Sequence, residues 1–207
     1  EMYSGSIQHD QGHMWLGGEG HGTWLMEGGT VTATDGHFAQ AHQDTGLGEM
    51  TMTGGTINTG LDLKVGRKGE GDWDMTGGTI NVGDRVVIAE EATATGDMDL
   101  HGGLVEALNG GAGYTRDIEV SDGGGANRDL GDGYLDIAYG GKLILGGDDS
   151  RGVQAMIGDG LITSLGTDQV SVSINGNGDT VVTGIPEPAT VAMLGLGGLV
   201  LLRRKRS

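Results

Sequence analysis

Apolar and polar residues alternate in short runs that stop at a glycine pair, and the run recurs down the chain. The copies read Gly22-Thr-Trp24-Leu-Met26-Glu-Gly28-Gly29-Thr30-Val31, Gly48-Glu-Met50-Thr-Met52-Thr-Gly54-Gly55-Thr56-Ile57, Gly71-Asp-Trp73-Asp-Met75-Thr-Gly77-Gly78-Thr79-Ile80 and Gly96-Asp-Met98-Asp-Leu100-His-Gly102-Gly103-Leu104-Val105. Their starts lie 26, 23 and 25 residues apart. A fifth copy, Gly133 to Leu143, carries one extra residue before Gly140-Gly141. Alternation at period two is the signature of a strand with one buried face, and a glycine pair permits the corner that follows it. Further strands are expected in each unit, as at Leu61–Gly66 and Arg85–Ala89. The pattern predicts an all-β chain, a parallel β-solenoid (β-helix) of coils about 25 residues long. Coils stacked about 4.8 Å apart from Gly12 to about Val182 would number roughly seven and make a rod about 35 Å long.

Stacking turns each repeated position into a column. Trp24, Met50, Trp73, Met98 and Leu135 form one inward column, and Met26, Met52, Met75, Leu100 and Ile137 a second. Both read as core, because Met fills irregular gaps well. Asn58 and Asn81 fall in register as a short amide ladder. The outward columns hold Glu49, Asp72 and Asp97, then Asp74, Asp99 and Asp136. Like charges on neighbouring strands repel unless something compensates them. A hard cation such as Ca²⁺ between Asp72, Asp74, Asp97 and Asp99 would do so, since such ions collect several carboxylate oxygens. The alternative is a solvated acidic face.

Composition supports a turn-rich fold. The 207 residues include 45 Gly, 2 Pro and no Cys, with a formal net charge of −17. Glycine does not recur at every third position, which excludes collagen. Without its last 22 residues the chain carries 8 basic and 28 acidic residues. Such a body repels phosphate backbones, so no nucleic-acid partner is expected, and it attracts divalent cations. With no Cys there is neither a disulfide nor a thiolate metal site. His9, His13 and His21 lack the spacing of a zinc hydrolase. Asn127 to Gly133 and Asn175-Gly-Asn177-Gly-Asp179 resemble calcium loops only in part and read as turns. Gly123-Gly-Gly125 lacks the context of a phosphate loop. Polysaccharide cleavage would need a base beside acidic groups in a groove. Arg67 and Arg85, expected in neighbouring coils near the acidic columns, read equally well as surface ion pairs.

The C-terminus is the most specific part of the sequence. Ile185-Pro186-Glu187-Pro188 precedes an uncharged stretch, residues 189–202, and then Arg203-Arg204-Lys205-Arg206-Ser207. Proline cannot donate to a sheet, so Pro186 and Pro188 end the β region. Fourteen helical residues reach only about 21 Å, short of a comfortable bilayer span. A short apolar stretch with a basic flank reads as a processing signal. The order resembles the PEP-CTERM sorting signal of Gram-negative bacteria, on Pro186, Glu187, Pro188, Ala189-Thr190, the Leu194 to Leu199 core, and Arg203-Arg204. The Gly-Gly-Thr units also look like the Gly-rich repeats of autotransporter and PEP-CTERM surface proteins.

The resemblance implies an exosortase-type processing enzyme as partner and transient membrane insertion through residues 189–202. It further implies display on the cell surface or in the extracellular matrix of a Gram-negative bacterium, in association with extracellular polysaccharide, biofilm or floc. A protein of this kind should open with a secretory leader, whereas this chain opens Glu1-Met-Tyr-Ser-Gly, as a processed chain or a fragment would. The expected organisation is a solenoid over residues 1–183 and a sorting signal with a C-terminal hydrophobic helix over 184–207. The expected role is structural or adhesive, with no catalytic residues and no cofactor beyond Ca²⁺. The alternative is a carbohydrate-active β-helix enzyme, a polysaccharide lyase or hydrolase.

Overall fold

A computed structural model describes residues 1–108, 117–121, 132–164 and 169–185. Three sheets wind around one core as a parallel β-solenoid of about six turns. The sheet of long strands stacks His21–Met26, Leu47–Met52, Glu70–Met75, Thr95–Leu100, Asp132–Ile137 and Ile162–Thr163, all parallel. A second sheet follows the glycine pairs, with Ser6–His9, Thr30–Ala33, Thr56–Thr59, Thr79–Val82, Gly103–Ala107 and Gly141–Leu145. A third is built from three-residue strands, Met14–Leu16, Phe38–Gln40, Leu63–Val65, Val86–Ile88 and Ile118–Val120. The winding starts at Ser6, earlier than the repeat copies indicate, and stops one turn short of the seven coils expected, because the last turn is built differently.

The predicted columns are in register. Trp24 pairs with Met50, Met50 with Trp73, Trp73 with Met98, and Met98 with Leu135; Met26, Met52, Met75, Leu100 and Ile137 align in the same way. Every member is buried except Trp24, which packs half-buried against the core. Phe38 bridges the aromatic end of the core, its ring centroid 5.9 Å from Trp24 and 5.5 Å from Trp73. The amide ladder also forms: Asn81 Nδ2 donates to Asn58 Oδ1 at 2.8 Å, and Asn58 Nδ2 donates to Thr32 Oγ1 at 3.3 Å.

The glycine pairs do more than turn the chain. In the first four pairs the second glycine has positive φ, +83° at Gly29, +89° at Gly55, +95° at Gly78 and +81° at Gly103, whereas in the fifth it is the first, Gly140, at +112°. At Gly55, Gly78 and Gly103 a Cβ would lie 2.6–2.7 Å from the terminal methyl of Met26, Met52 or Met75, each from the coil before. The methionine two residues ahead of one corner therefore fills the space left by the glycine of the next. In the fifth copy the extra residue, Tyr139, is pushed into solvent and Leu100 crowds Gly141 in place of a methionine.

A second column, not anticipated from the repeats, runs along the corner before the third sheet: His13, His37, Asp62, Arg85, Asp117 and Asp149. Here side chains take over ladder bonds between coils. The His37 N–H donates to His13 Nδ1 (3.2 Å), Asp62 N–H to His37 Nδ1 (3.1 Å), Arg85 N–H to Asp62 Oδ1 (3.2 Å) and Asp117 N–H to Asp149 Oδ2 (3.2 Å). Burial, reinforced by the Asp149 charge, pushes the Asp117 carboxyl up to about 6.

The final turn replaces the third-sheet strand with a helix, Ser150–Gly158. Its Val153 is buried, and Met156 and Ile157 pack onto the end of the core. The second sheet then ends in an antiparallel hairpin, Val170–Ile174 and Thr180–Gly184, laid against Gly141–Leu145. Asn175 to Asp179 is the turn of that hairpin, with the Asn175 side-chain oxygen accepting the N–H groups of Asn177 (2.8 Å) and Asp179 (3.0 Å). The purely parallel order stops here because helix and hairpin cover the exposed end of the stack. Asn127 to Leu130 and Gly123 to Gly125 lie outside the described residues, as does the hydrophobic helix expected over 189–202.

The methionine-glycine fit is testable by a double-mutant cycle. Met52→Ala should cost about 2–5 kcal/mol by opening a cavity, and Gly78→Ala about 1–3 kcal/mol by crowding and backbone strain. The pair together should cost less than the sum by at least about 0.5 kcal/mol, read from denaturant midpoints. Strict additivity would show that the methyl and the glycine do not share one space. Gly18→Ala, with open space around its Cβ position, serves as the neutral control.

Candidate functional site

The outward face of the long-strand sheet carries the acidic columns. Asp97 pairs in register with Asp72 and Asp72 with Glu49; Asp99 pairs with Asp74 on one side and Asp136 on the other. Alternation places these residues outside because Trp73, Met75, Met98 and Leu100 between them are buried. Asp72 and Asp97 are exposed, Asp74 and Asp99 half-buried, and Asp136 is 5% exposed. Partial burial first, and mutual repulsion second, hold the carboxyls of Asp72 and Asp97 above the usual range. Asp99 is raised as well, chiefly by burial, against the opposing pull of His101.

The side chains that approach this face at ion-pair distance are histidines. His21 Nε2 lies 3.0 Å from Glu49 Oε2, and His101 Nε2 lies 3.3 Å from Asp136 Oδ2. Among the described residues, no Lys or Arg forms an ion pair with Asp72, Asp74, Asp97 or Asp99. Asp74 Oδ1 is buried with no hydrogen-bond donor among them. The four carboxylates named as a cation site thus share one sheet face in two adjacent coils.

Beside the columns runs an open cleft of about 430 Å³, lined by Glu70, Asp72, Thr95, Asp97, Asp132 and Tyr134 with glycines between. The glycine column lets the strands pack closely on the corner beneath: at Gly71 and Gly96 a Cβ would run into Gly66 and Val65. At one end the Tyr134 hydroxyl hydrogen-bonds Thr163 Oγ1, which in turn donates to Asp136 Oδ1 at 2.8 Å.

The basic residues sit elsewhere. Arg85 pairs with Asp62 at 3.2 Å and Glu119 at 3.5 Å; Arg67 pairs with Glu90 at 3.2 Å; Lys64 is nearly buried between Asp62 and Glu90. Arg67 and Arg85 therefore do not border the acidic columns, as the coil count had led one to expect, because they follow or precede third-sheet strands. Nor do His9, His13 and His21 converge. His13 stacks on His37, with centroids 4.6 Å apart, while Trp15 packs on His42 and lies under Arg67.

Pro186, Glu187, Pro188, Arg203 and Arg204 lie outside the described residues. Among the described residues, no helix is long and apolar enough to cross a membrane. Compared with known families, residues 184–206 match the PEP-CTERM protein-sorting motif. No curated protein and no solved structure matches the chain. The motif marks an exosortase-sorted, secreted surface protein, with export and cell-surface sorting of the Gram-negative kind.

The acidic face carries a stability consequence. Raised carboxyl pKa values mean that the folded state favours the protonated form. This face is therefore best tolerated at low pH and loses stability as pH rises through those values. Asp97→Asn should raise the melting point at pH 7.5, a gain of a few tenths to about 1 kcal/mol. The gain should shrink in 1 M salt, where charges more than about 3 Å apart are screened, and vanish at pH 3. A destabilised Asp97→Asn protein at pH 7.5 would show that the column is already compensated.

Proposed function

We propose that the chain is a non-catalytic display rod of the cell surface, held in the extracellular matrix by its acidic face. Exosortase acts on the tail, and the solenoid is the working part left outside. The face engages extracellular polysaccharide of biofilm or floc through bridging Ca²⁺ between Asp72, Asp74, Asp97 and Asp99. The observation that carries this reading is the in-register column of carboxylates with no Lys or Arg counter-charge among the described residues. A rigid strand ladder repeats those carboxylates about every 4.8 Å, a spacing at which one hard cation can take oxygens from adjacent coils. Support for surface display comes from the sorting motif at residues 184–206.

Two measurements test this. Protein recovered from its own cell surface should have an intact mass ending near Pro186 to Ala189, whereas a mass retaining Arg203 to Ser207 would remove the processing step. The isolated protein should be retained on an immobilised uronate polysaccharide in millimolar Ca²⁺ and released by chelator. Asp72→Asn with Asp97→Asn should lose most of that Ca²⁺-dependent retention; unchanged retention would overturn the bridging role.

A second reading rests on the cleft, where Asp72 and Asp97 with raised pKa values face Asp132 and Tyr134. Paired carboxyl groups are the machinery of glycoside hydrolysis. Its test is direct: incubation with the same polysaccharide should release reducing or unsaturated ends if the cleft is catalytic, and none if the rod only binds.

A further inference from the structure

We propose that Asp99, His101 and Asp136 form a binding site for a divalent transition-metal ion of the Zn²⁺ class. It shares Asp99 with the all-oxygen Ca²⁺ site proposed above and differs from it in chemistry through the nitrogen ligand of His101. One oxygen of each carboxylate and one imidazole nitrogen lie within 4.8 Å of one another. His101 Nε2 and Asp136 Oδ2 are 3.3 Å apart. Two ligands at tetrahedral positions about 2.0–2.1 Å from a metal are themselves separated by about 3.3 Å, so this pair already has the spacing of a coordination edge. Asp99 is the strand partner of Asp136 and needs only a side-chain adjustment to close the third position.

The arrangement depends on one coil. His101 follows Asp99 by two residues, so both point outward around the buried Leu100. At the same position past the strand end, the other coils have Glu27, Thr53, Thr76 and Ala138. Among these coils, only this one sets an imidazole at that position, beside the column of Asp74, Asp99 and Asp136. Imidazole suits Zn²⁺ and its neighbours, whereas Ca²⁺ takes oxygen ligands.

The support around the triad is of the kind metal ligands require. Asp136 is 5% exposed, and its Oδ1 accepts a hydrogen bond from Thr163 Oγ1 at 2.8 Å, which is itself bonded to Tyr134. That chain fixes the carboxylate with Oδ2 toward His101. Outer hydrogen bonds of this type orient metal ligands and tune their affinity. Asp74, next in the column, adds a buried oxygen without a donor among the described residues, and a further carboxylate to the negative surroundings of the triad. Three protein ligands leave a fourth tetrahedral position for water or for an external carboxylate.

The test is titration calorimetry of the full chain with ZnCl₂ in Ca²⁺-free buffer, for wild type, His101→Gln, Asp99→Asn and Asp72→Asn. Neither polysaccharide nor Ca²⁺ is present, so the outcome is independent of the bridging role proposed above. Circular dichroism checks that each variant folds, and His101 is exposed enough for its replacement to leave the coil intact. One saturable Zn²⁺ per chain is expected, weakened about tenfold or more in His101→Gln and in Asp99→Asn and unchanged in Asp72→Asn. Absence of saturable binding in wild type overturns the proposal. So does equal binding by His101→Gln, which would place the ion on other histidines. Equal weakening by Asp72→Asn would also overturn it, since the ion would then be spread over the acidic face.

Discussion

The methyl of a methionine in one coil occupies the volume that a side chain on the corner glycine of the next would need. Met26 meets Gly55, Met52 meets Gly78, and Met75 meets Gly103. This contact explains why glycine and methionine, usually poor at specifying a unique core, recur together here. The glycine supplies a positive φ for the corner and a hole above it. A long unbranched side chain reaches into that hole where a β-branched one would stop short. Because the fit joins successive coils, it fixes register along the rod as well as density across it. A slip of one residue would put methionine against strand backbone and turn each acidic position inward.

Register is also what gives the surface its chemistry. In a parallel in-register stack, one residue choice made in each repeat becomes a column, and the spacing between its members is that of the sheet. Asp at two outward positions in successive copies therefore yields a two-column carboxylate face rather than scattered charge. The repulsion is a cost that the apolar columns directly beneath must offset. Trp73, Met75, Met98 and Leu100 are all at most 1% exposed under the four carboxylates.

The repeats made the solenoid, both inward columns and both acidic columns legible, because each depends on alternation and period alone. The details that define the ends were not. The helix Ser150–Gly158 and the antiparallel hairpin occupy the last turn, where the chain must cover an apolar end instead of stacking another coil. The repeat has no position that encodes such a cap. The corner column from His13 to Asp149 escaped notice because its members are chemically unlike. They share only the place before a third-sheet strand or, at Asp149, before the helix that replaces it, and three-residue strands give too short a signal for alignment. His101 was visible as one of six histidines, but its partner Asp136 lies 35 residues away, in the copy with the inserted residue. Only the register of Thr95–Leu100 against Asp132–Ile137 joins them.

The third sheet shows what this fold does when its charges are to be neutralised from within. Lys64, Arg67 and Arg85 are drawn into a network with Asp62, Glu90 and Glu119, partly buried and shared between coils. With Lys68 beside Glu91, that network takes four of the six described Lys and Arg residues. The long-strand sheet offers the same opportunity, since any outward position there can carry Lys against Asp in the next coil. It holds Asp against Asp instead, with imidazole rather than Lys or Arg as the partner among the described ion pairs. Electroneutrality then has to come from solution, and a rigid ladder of half-buried carboxylates concentrates that requirement in one place. A face built this way draws cations to fixed positions, and whatever binds it from outside meets those ions first.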